Sequence, residues 1–327
     1  MITDFSGLYT ALVTPMRPNK NARKGFSVEF GLFRRLVEYQ IDNLVDWVVP
    51  IGTTGEAPTL TKAEKKELIK IAVETAGNSG KDAKVMAGAG TNDTFETLDN
   101  MWEAYEAGAN AAMVVVPYYN KPNLSGMFKH YEKLEEILLP VIVYNIPGRC
   151  GDGVDLSGDK YFPVLKDIAN LKNVVGIKEA SGKLPQIERV INEIKKPLAE
   201  RGKNFAVLAG DDNMALTVIR AGGDGVVSVA SNLAPYHMKV MVDAGLRKNY
   251  ALAERYNLSM EQFFKLEFCE SNPAPIKEMM RLAGFLNHAS CRLPLGPLQP
   301  ENMEKLSQFM HSGAGSFCNN FNKRKSR

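Results

Sequence analysis

Cysteine is scarce and scattered. The four thiols, Cys150, Cys269, Cys291 and Cys318, form no C-x-x-C pair. They supply neither a zinc ribbon nor a redox dithiol, and read as reduced thiols of a cytoplasmic protein rather than a disulfide framework. No apolar run reaches the roughly 18 residues of a membrane span, and the opening MITDFSGLYTALVTP lacks the basic-then-apolar order of a signal peptide. Charge of one sign is missing too: 40 Lys and Arg against 37 Asp and Glu leave +3, spread along the chain. That balance argues against a dedicated nucleic-acid surface. His130, His237, His288 and His311 are isolated from one another and read as helix-surface or capping residues. Asp211 and Asp212, with no histidine nearby in the sequence, are a thin ligand set for a metal, so no metal is expected. No G-x-G-x-x-G follows a strand-like run, which removes the commonest dinucleotide-binding form of an open sheet.

What is present is an ordinary globular balance, 45% hydrophobic and 24% charged over 327 residues, enough for one large α/β unit or two smaller ones. Short β-rich runs recur: LYTALVTP (8–15), DWVVPIG (46–52), AKVMAGAG (83–90), AAMVVVP (111–117), PVIVYNIP (140–147), NVVGIKEAS (173–181), FAVLAGDD (205–212) and GDGVVSVAS (223–231). Helical patterns lie between them. Thr61 and Glu64 have capping-box spacing, and Ile69, Ala72, Val73 and Ala76 follow with the stripe of a helix packed on a sheet. Leu98, Met101, Trp102 and Tyr105 repeat that stripe, with Gly108 placed to end the helix. Eight alternating units without a break in composition predict a (β/α)8 barrel, with a doubly wound sheet as runner-up. The expected organisation is a barrel over 1–235, a C-terminal helical region over 236–310 and a disordered basic tail over 311–327, where NKRKSR reads as solvated.

A barrel places its active site at the carboxyl ends of its strands. There VVGIKEASG ends an apolar run on Lys178. Burial favours the neutral amine and lowers the pKa, making a nucleophile able to form a Schiff base with a ketone. The alternative is a lysine that reaches past the strand to water or pairs with Glu179. That pairing is disfavoured, because adjacent strand residues point to opposite faces. Thr53 and Thr54, between Gly52 and Gly55, form either a cradle for a small carboxylate or merely a tight turn. Tyr118, Tyr119 and Tyr144 are either core residues with tied hydroxyls or a proton relay. Arg149 is either a two-pronged carboxylate ligand or a surface arginine.

GTTGE, PYYNKP, YNIPGR, GIKEASG, AGDD and GGDGVVSVASN, followed by NPAPIK (272–277) and RLPLGPL (292–298), stand in one order. That order resembles the dihydrodipicolinate synthase and N-acetylneuraminate lyase superfamily over roughly residues 5 to 310. Arg149 and the paired tyrosines resemble its dihydrodipicolinate synthase branch. The resemblance implies a cofactor-free lyase in which Lys178 forms an imine with pyruvate. The derived enamine then attacks aspartate 4-semialdehyde, in diaminopimelate and lysine biosynthesis. It implies a proton relay of Tyr144, Thr53 and Tyr119, with Tyr119 crossing into a neighbouring subunit of a homotetramer. Thr54 and the Val227 carbonyl would line the pyruvate pocket, and Arg149 would bind the second substrate's carboxylate. Other pyruvate-dependent aldolases of the superfamily, and a non-catalytic keto-acid-binding barrel, are the alternatives. Asn92, Glu96 and Tyr118 match the branch's allosteric site. Lysine-inhibited members carry polar residues, often histidine, where this chain has Ala57, Pro58, Lys62 and Lys65. Positive charge there opposes a cationic effector, so weak or absent feedback by lysine is expected.

Overall fold

Apolar β-branched runs alternating with amphipathic stretches bury themselves best as a parallel sheet beneath a shell of helices. The computed structural model describes residues 4–22, 24–151, 154–312 and 315. Its strands are β1 (Gly7–Ala11), β2 (Met16–Pro18), β3 (Phe26–Val28), β4 (Trp47–Val49), β5 (Lys84–Gly88), β6 (Ala111–Val115), β7 (Val141–Asn145), β8 (Val174–Glu179), β9 (Ala206–Ala209) and β10 (Gly225–Ser228). Eight of them close a barrel in the order β1-β10-β9-β8-β7-β6-β5-β4, with β1 pairing in parallel to both β10 and β4. The (β/α)8 expectation is met at all eight runs. Strands β2 and β3 form a separate antiparallel hairpin that the sequence did not predict. At three residues each, they are too short to show a period.

Two layers of side chains make the core. Inside the barrel, Tyr9, Trp47, Met86, Met113, Ile142, Leu208 and Val227 pack on one another. The rings of Tyr9 and Trp47 stack with centroids 5.0 Å apart and fill the amino-terminal end. Outside it, Val48, Val85, Val114, Val143, Ile177, Val207 and Val226 meet the apolar faces of the helices. At the amino-terminal rim, carboxylates finish the ladder. Asp46 accepts from Leu8 N at 2.8 Å and pairs with Lys239 at 3.1 Å. Asp224 accepts from Val207 N at 2.8 Å and pairs with Lys195 at 2.7 Å.

The helix Lys62–Asn78 begins with the predicted capping box: Glu64 N donates to Thr61 Oγ1 at 3.2 Å and Thr61 N donates to Glu64 Oε2 at 2.8 Å. The helix Thr94–Glu106 is rotated from its predicted stripe. Thr97, Asn100, Met101 and Ala104 face inward, while Trp102 and Tyr105 are 50% and 44% exposed. The reason is polar. Thr91 N donates to Thr97 Oγ1 at 3.0 Å, and Asn100 Nδ2 donates to the Ala89 carbonyl at 3.0 Å. Two residues that a hydrophobic pattern assigns to solvent are thus tied to the end of β5. Gly108 follows at φ +86°, as a helix stop requires. His130 is buried rather than at a surface or cap, with Nδ1 2.9 Å from Thr94 Oγ1. Desolvation holds its pKa down at about 4.

Beyond β10 the chain is helical, in Pro235–Leu246, Tyr250–Leu266, Ala274–Leu282 and Pro300–His311. The break between the first two falls at Lys248, φ +60°. Among the described residues Cys150, Cys269 and Cys291 are free thiols, and no helix is long and apolar enough to cross a membrane. Residues 313–314 and 316–327, which hold Cys318 and the basic end, lie outside the described residues.

Candidate active site

Residues paired across neighbouring parallel strands share a face of the sheet. Tyr144 of β7 pairs with Lys178 of β8, and both point into the barrel at its carboxyl end. Lys178 is only 6% exposed, and its Nζ lies 4.0 Å from the centroid of the Tyr144 ring. Burial lowers the Lys178 pKa to about 8. Asp211 and Asp212 pull against that shift, and Arg149 adds to it. The amine is therefore partly neutral near physiological pH, as its place at a strand end suggested. Tyr144 is pushed the other way: burial raises its phenol well above 10, while Arg149 and a hydrogen bond with Thr53 oppose the shift. Such a phenol keeps its proton until a base removes it. Glu179 does not pair with Lys178. Its register partner is Asn145, whose Nδ2 donates to both carboxylate oxygens, at 3.0 and 3.2 Å.

The loop after β4 delivers the two threonines. It opens at Ile51, φ +52°, and turns through Gly55 N to Gly52 O at 3.1 Å and Glu56 N to Thr53 O at 3.0 Å. A Cβ on Gly55 would lie 3.0 Å from Ile51 N and 3.2 Å from Leu12 O. This glycine serves the turn itself, and no ligand need approach for it to be required. Thr54 is buried and its Oγ1 accepts from Asn272 Nδ2 at 2.9 Å. Two residues on, Glu56 pairs with Lys277 at 2.7 Å, both side chains fully buried, and accepts from Arg292 N at 2.9 Å. Lys277 also donates to the Thr14 carbonyl at 2.8 Å.

A cavity of about 460 Å³ has Thr53, Tyr144, Arg149, Lys65, Glu96 and Tyr118 in its lining. Arg149 sits in the short helix Pro147–Cys150 and is exposed. Val227, on β10 beside Tyr9, is buried in the barrel wall. Tyr119 lies apart from the others. It is 88% exposed, at φ +71°, and is not among the residues lining the cavity that holds Tyr144 and Thr53. Burial and the Glu96 charge raise the pKa of Tyr118. Asn92 is half-buried and its carbonyl accepts from Asn120 Nδ2 at 2.7 Å. Burial lowers the pKa of Lys65, against Glu96 and Glu103, while Lys62 stays in solvent, 3.9 Å from Asp99.

Several residues that shape this site were not singled out from the sequence. Asn272 and Lys277 were visible only inside the NPAPIK motif, because their partners lie 218 and 221 positions away. Asp212, which the sequence offered only as a thin metal ligand, instead accepts through Oδ2 from Val229 N at 2.8 Å and Ala230 N at 3.0 Å, and its charge acts on Glu267. Glu267 is fully buried. Burial, then the Asp212 charge, hold its pKa well above the usual carboxylate range.

Residues 4–312 match the dihydrodipicolinate synthetase family. The 4-hydroxy-tetrahydrodipicolinate synthase of Protochlamydia amoebophila is 40% identical over 306 residues, 93% of this chain and 95% of that protein. The structure of dihydrodipicolinate synthase from Thermotoga maritima superposes with a TM-score of 0.84 at 36% identity, covering 95% of this chain and 99% of the other. A variant described as the first monomeric dihydrodipicolinate synthase superposes equally well, TM-score 0.84 at 36% identity, covering 94% and 96%. With the match running through barrel, loops and C-terminal helices alike, this chain belongs to the dihydrodipicolinate synthetase family.

Proposed function

We propose that the chain is the lyase that condenses pyruvate with L-aspartate 4-semialdehyde to 4-hydroxy-tetrahydrodipicolinate (EC 4.3.3.7), a step of diaminopimelate and lysine biosynthesis. The observation that carries this reading is the buried Lys178 amine, its pKa lowered to about 8, against the Tyr144 ring. The neutral amine adds to the pyruvate carbonyl and the adduct loses water to give a protonated imine. That cation draws electrons from the adjacent methyl group, which loses a proton to become an enamine. Carbon–carbon bond formation at the aldehyde carbon of the semialdehyde, followed by cyclisation, releases the product and frees Lys178. The imine is itself the electron sink, so the reading needs no further cofactor.

Tyr144 acts as general acid and base beside Lys178, with its proton passed through Thr53 and onward to Tyr119. Thr54 with Thr53 holds the pyruvate carboxylate, the Val227 carbonyl lines the same pocket, and Arg149 takes the carboxylate of the semialdehyde. Tyr119, 88% exposed at φ +71°, is suited to complete the relay of a second copy, and the proposed assembly is a homotetramer acting in the cytoplasm. The proposed organisation is a catalytic barrel over 1–235 and a helical region over 236–310. Asn92, Glu96 and Tyr118 form the matching effector position. Lys65 beside Glu96 opposes a cationic ligand there, so a lysine titration should give weak or no inhibition, and strong inhibition at micromolar lysine would refute that.

The test is covalent trapping. Pyruvate followed by borohydride should leave a reduced pyruvyl group on the peptide holding Lys178, and Lys178→Ala should abolish it. Folded wild-type protein that takes no label would be a binding barrel rather than an enzyme. Labelled protein that turns over a different aldehyde would move it elsewhere among pyruvate-dependent aldolases.

A further inference from the structure

The helix Ala274–Leu282 and the segments flanking it grip the GTTGE loop at two kinds of point. Glu56 is held by charge, between Lys277 Nζ at 2.7 Å and Arg292 N at 2.9 Å. Thr54 is held by one bond to its side chain, from Asn272 Nδ2 at 2.9 Å. Asn272 is 6% exposed, and its Oδ1 is buried without a partner. An asparagine kept only for structure normally satisfies both ends of its amide. This one directs its hydrogen bond at a threonine hydroxyl and leaves its carbonyl oxygen bare.

A hydroxyl has one proton to donate and two lone pairs to accept with. When Thr54 Oγ1 accepts from an amide, its own O–H is directed away from Asn272. Among the described residues no protein group accepts that proton, since the bond from Asn272 is the one hydrogen bond that the Thr54 hydroxyl makes. We propose that Asn272 is a positioning residue: its amide orients the buried Thr54 hydroxyl as a donor to the carboxylate of pyruvate. The inference rests on the function proposed above, which puts that carboxylate at Thr53 and Thr54. It adds that the C-terminal region sets keto-acid affinity through one side chain. Because Lys277 and Arg292 hold the loop independently through the Glu56 carboxylate, substitutions at Asn272 change the direction of the hydroxyl without releasing the loop.

Steady-state kinetics on Asn272→Ala, Asn272→Asp, Thr54→Val and the Thr54→Val/Asn272→Ala double variant test this, with thermal unfolding measured for each. Asn272→Ala should raise the pyruvate KM roughly three- to tenfold with kcat little changed, the cost of one misdirected hydrogen bond. Asn272→Asp is the same size and keeps the packing, but its carboxylate accepts the Thr54 proton and faces the substrate with like charge. It should raise KM further, by roughly a hundredfold. The double variant should be no worse than Thr54→Val alone, because Asn272 acts through that hydroxyl. A wild-type pyruvate KM in both Asn272 variants, additive losses in the double variant, or a fall in kcat at unchanged KM would each overturn the inference. Failure of the function itself reads differently: wild-type protein would then take no pyruvate label at Lys178.

Discussion

An ammonium at the position of Lys178 would be enclosed by the barrel wall, 4.0 Å from the Tyr144 ring centroid, with Asp211 and Asp212 as its acidic neighbours. Those charges moderate the desolvation but do not cancel it, and the folded pKa settles at about 8 against 10.5 for an ordinary lysine. The sign of the consequence follows. Between about 8 and 10.5 the unfolded chain holds a proton that the folded chain has lost. Lys178 therefore adds stability as pH rises through that window and removes it below. For chemistry the same shift supplies the free amine. The initial rate of pyruvate-dependent borohydride labelling should climb about tenfold per pH unit up to about 8 and then level off. A profile still climbing at pH 10 would show a lysine with an unshifted pKa.

Elements decide which of these groups meet, and they were unequally legible. All eight barrel strands were readable, because strands buried on both faces are continuous apolar runs and nothing else in the chain has that composition. Lys178 was readable for the same reason, as a charge ending such a run. The helix Thr94–Glu106 was misplaced in rotation, since Thr97 and Asn100 are buried by hydrogen bonds that an apolar pattern does not record. The clamp between Ala274–Leu282 and the GTTGE loop left no local trace, its partners being more than 200 positions apart. Its central pair is nevertheless strong. Lys277→Met leaves Glu56 charged and fully buried, and should lower the free energy of unfolding by roughly 3–5 kcal/mol in urea titration. Removing both members by Glu56→Gln with Lys277→Met should cost less than removing Lys277 alone. Equal or greater loss in the double variant would mean that the pair's charge balance is not what holds the loop.

At the scale of the whole molecule the two ends of the barrel have separate duties. The carboxyl end carries Lys178, Tyr144 and the threonine loop. The amino end carries aromatic filling and the carboxylates Asp46 and Asp224, which satisfy strand N–H groups and adjacent lysines. Asp224→Ala should therefore lower stability by about 1–3 kcal/mol, from the orphaned Val207 N–H, while the pyruvate KM stays at the wild-type value. A changed KM would show that the ends are coupled through the strands. The long clamp also bears on how the protein is made. A chain leaving the ribosome has released all eight barrel strands by Ser228, yet Thr54 and Glu56 still await Asn272, Lys277 and Arg292. Until those residues emerge, Glu56 has no counter-charge and its loop no reason to settle, because contacts so distant in sequence form late. A messenger cut short after the last strand would yield a barrel with an unfinished pocket, so substrate binding waits until the stretch through Arg292 has been made and has folded back onto the loop.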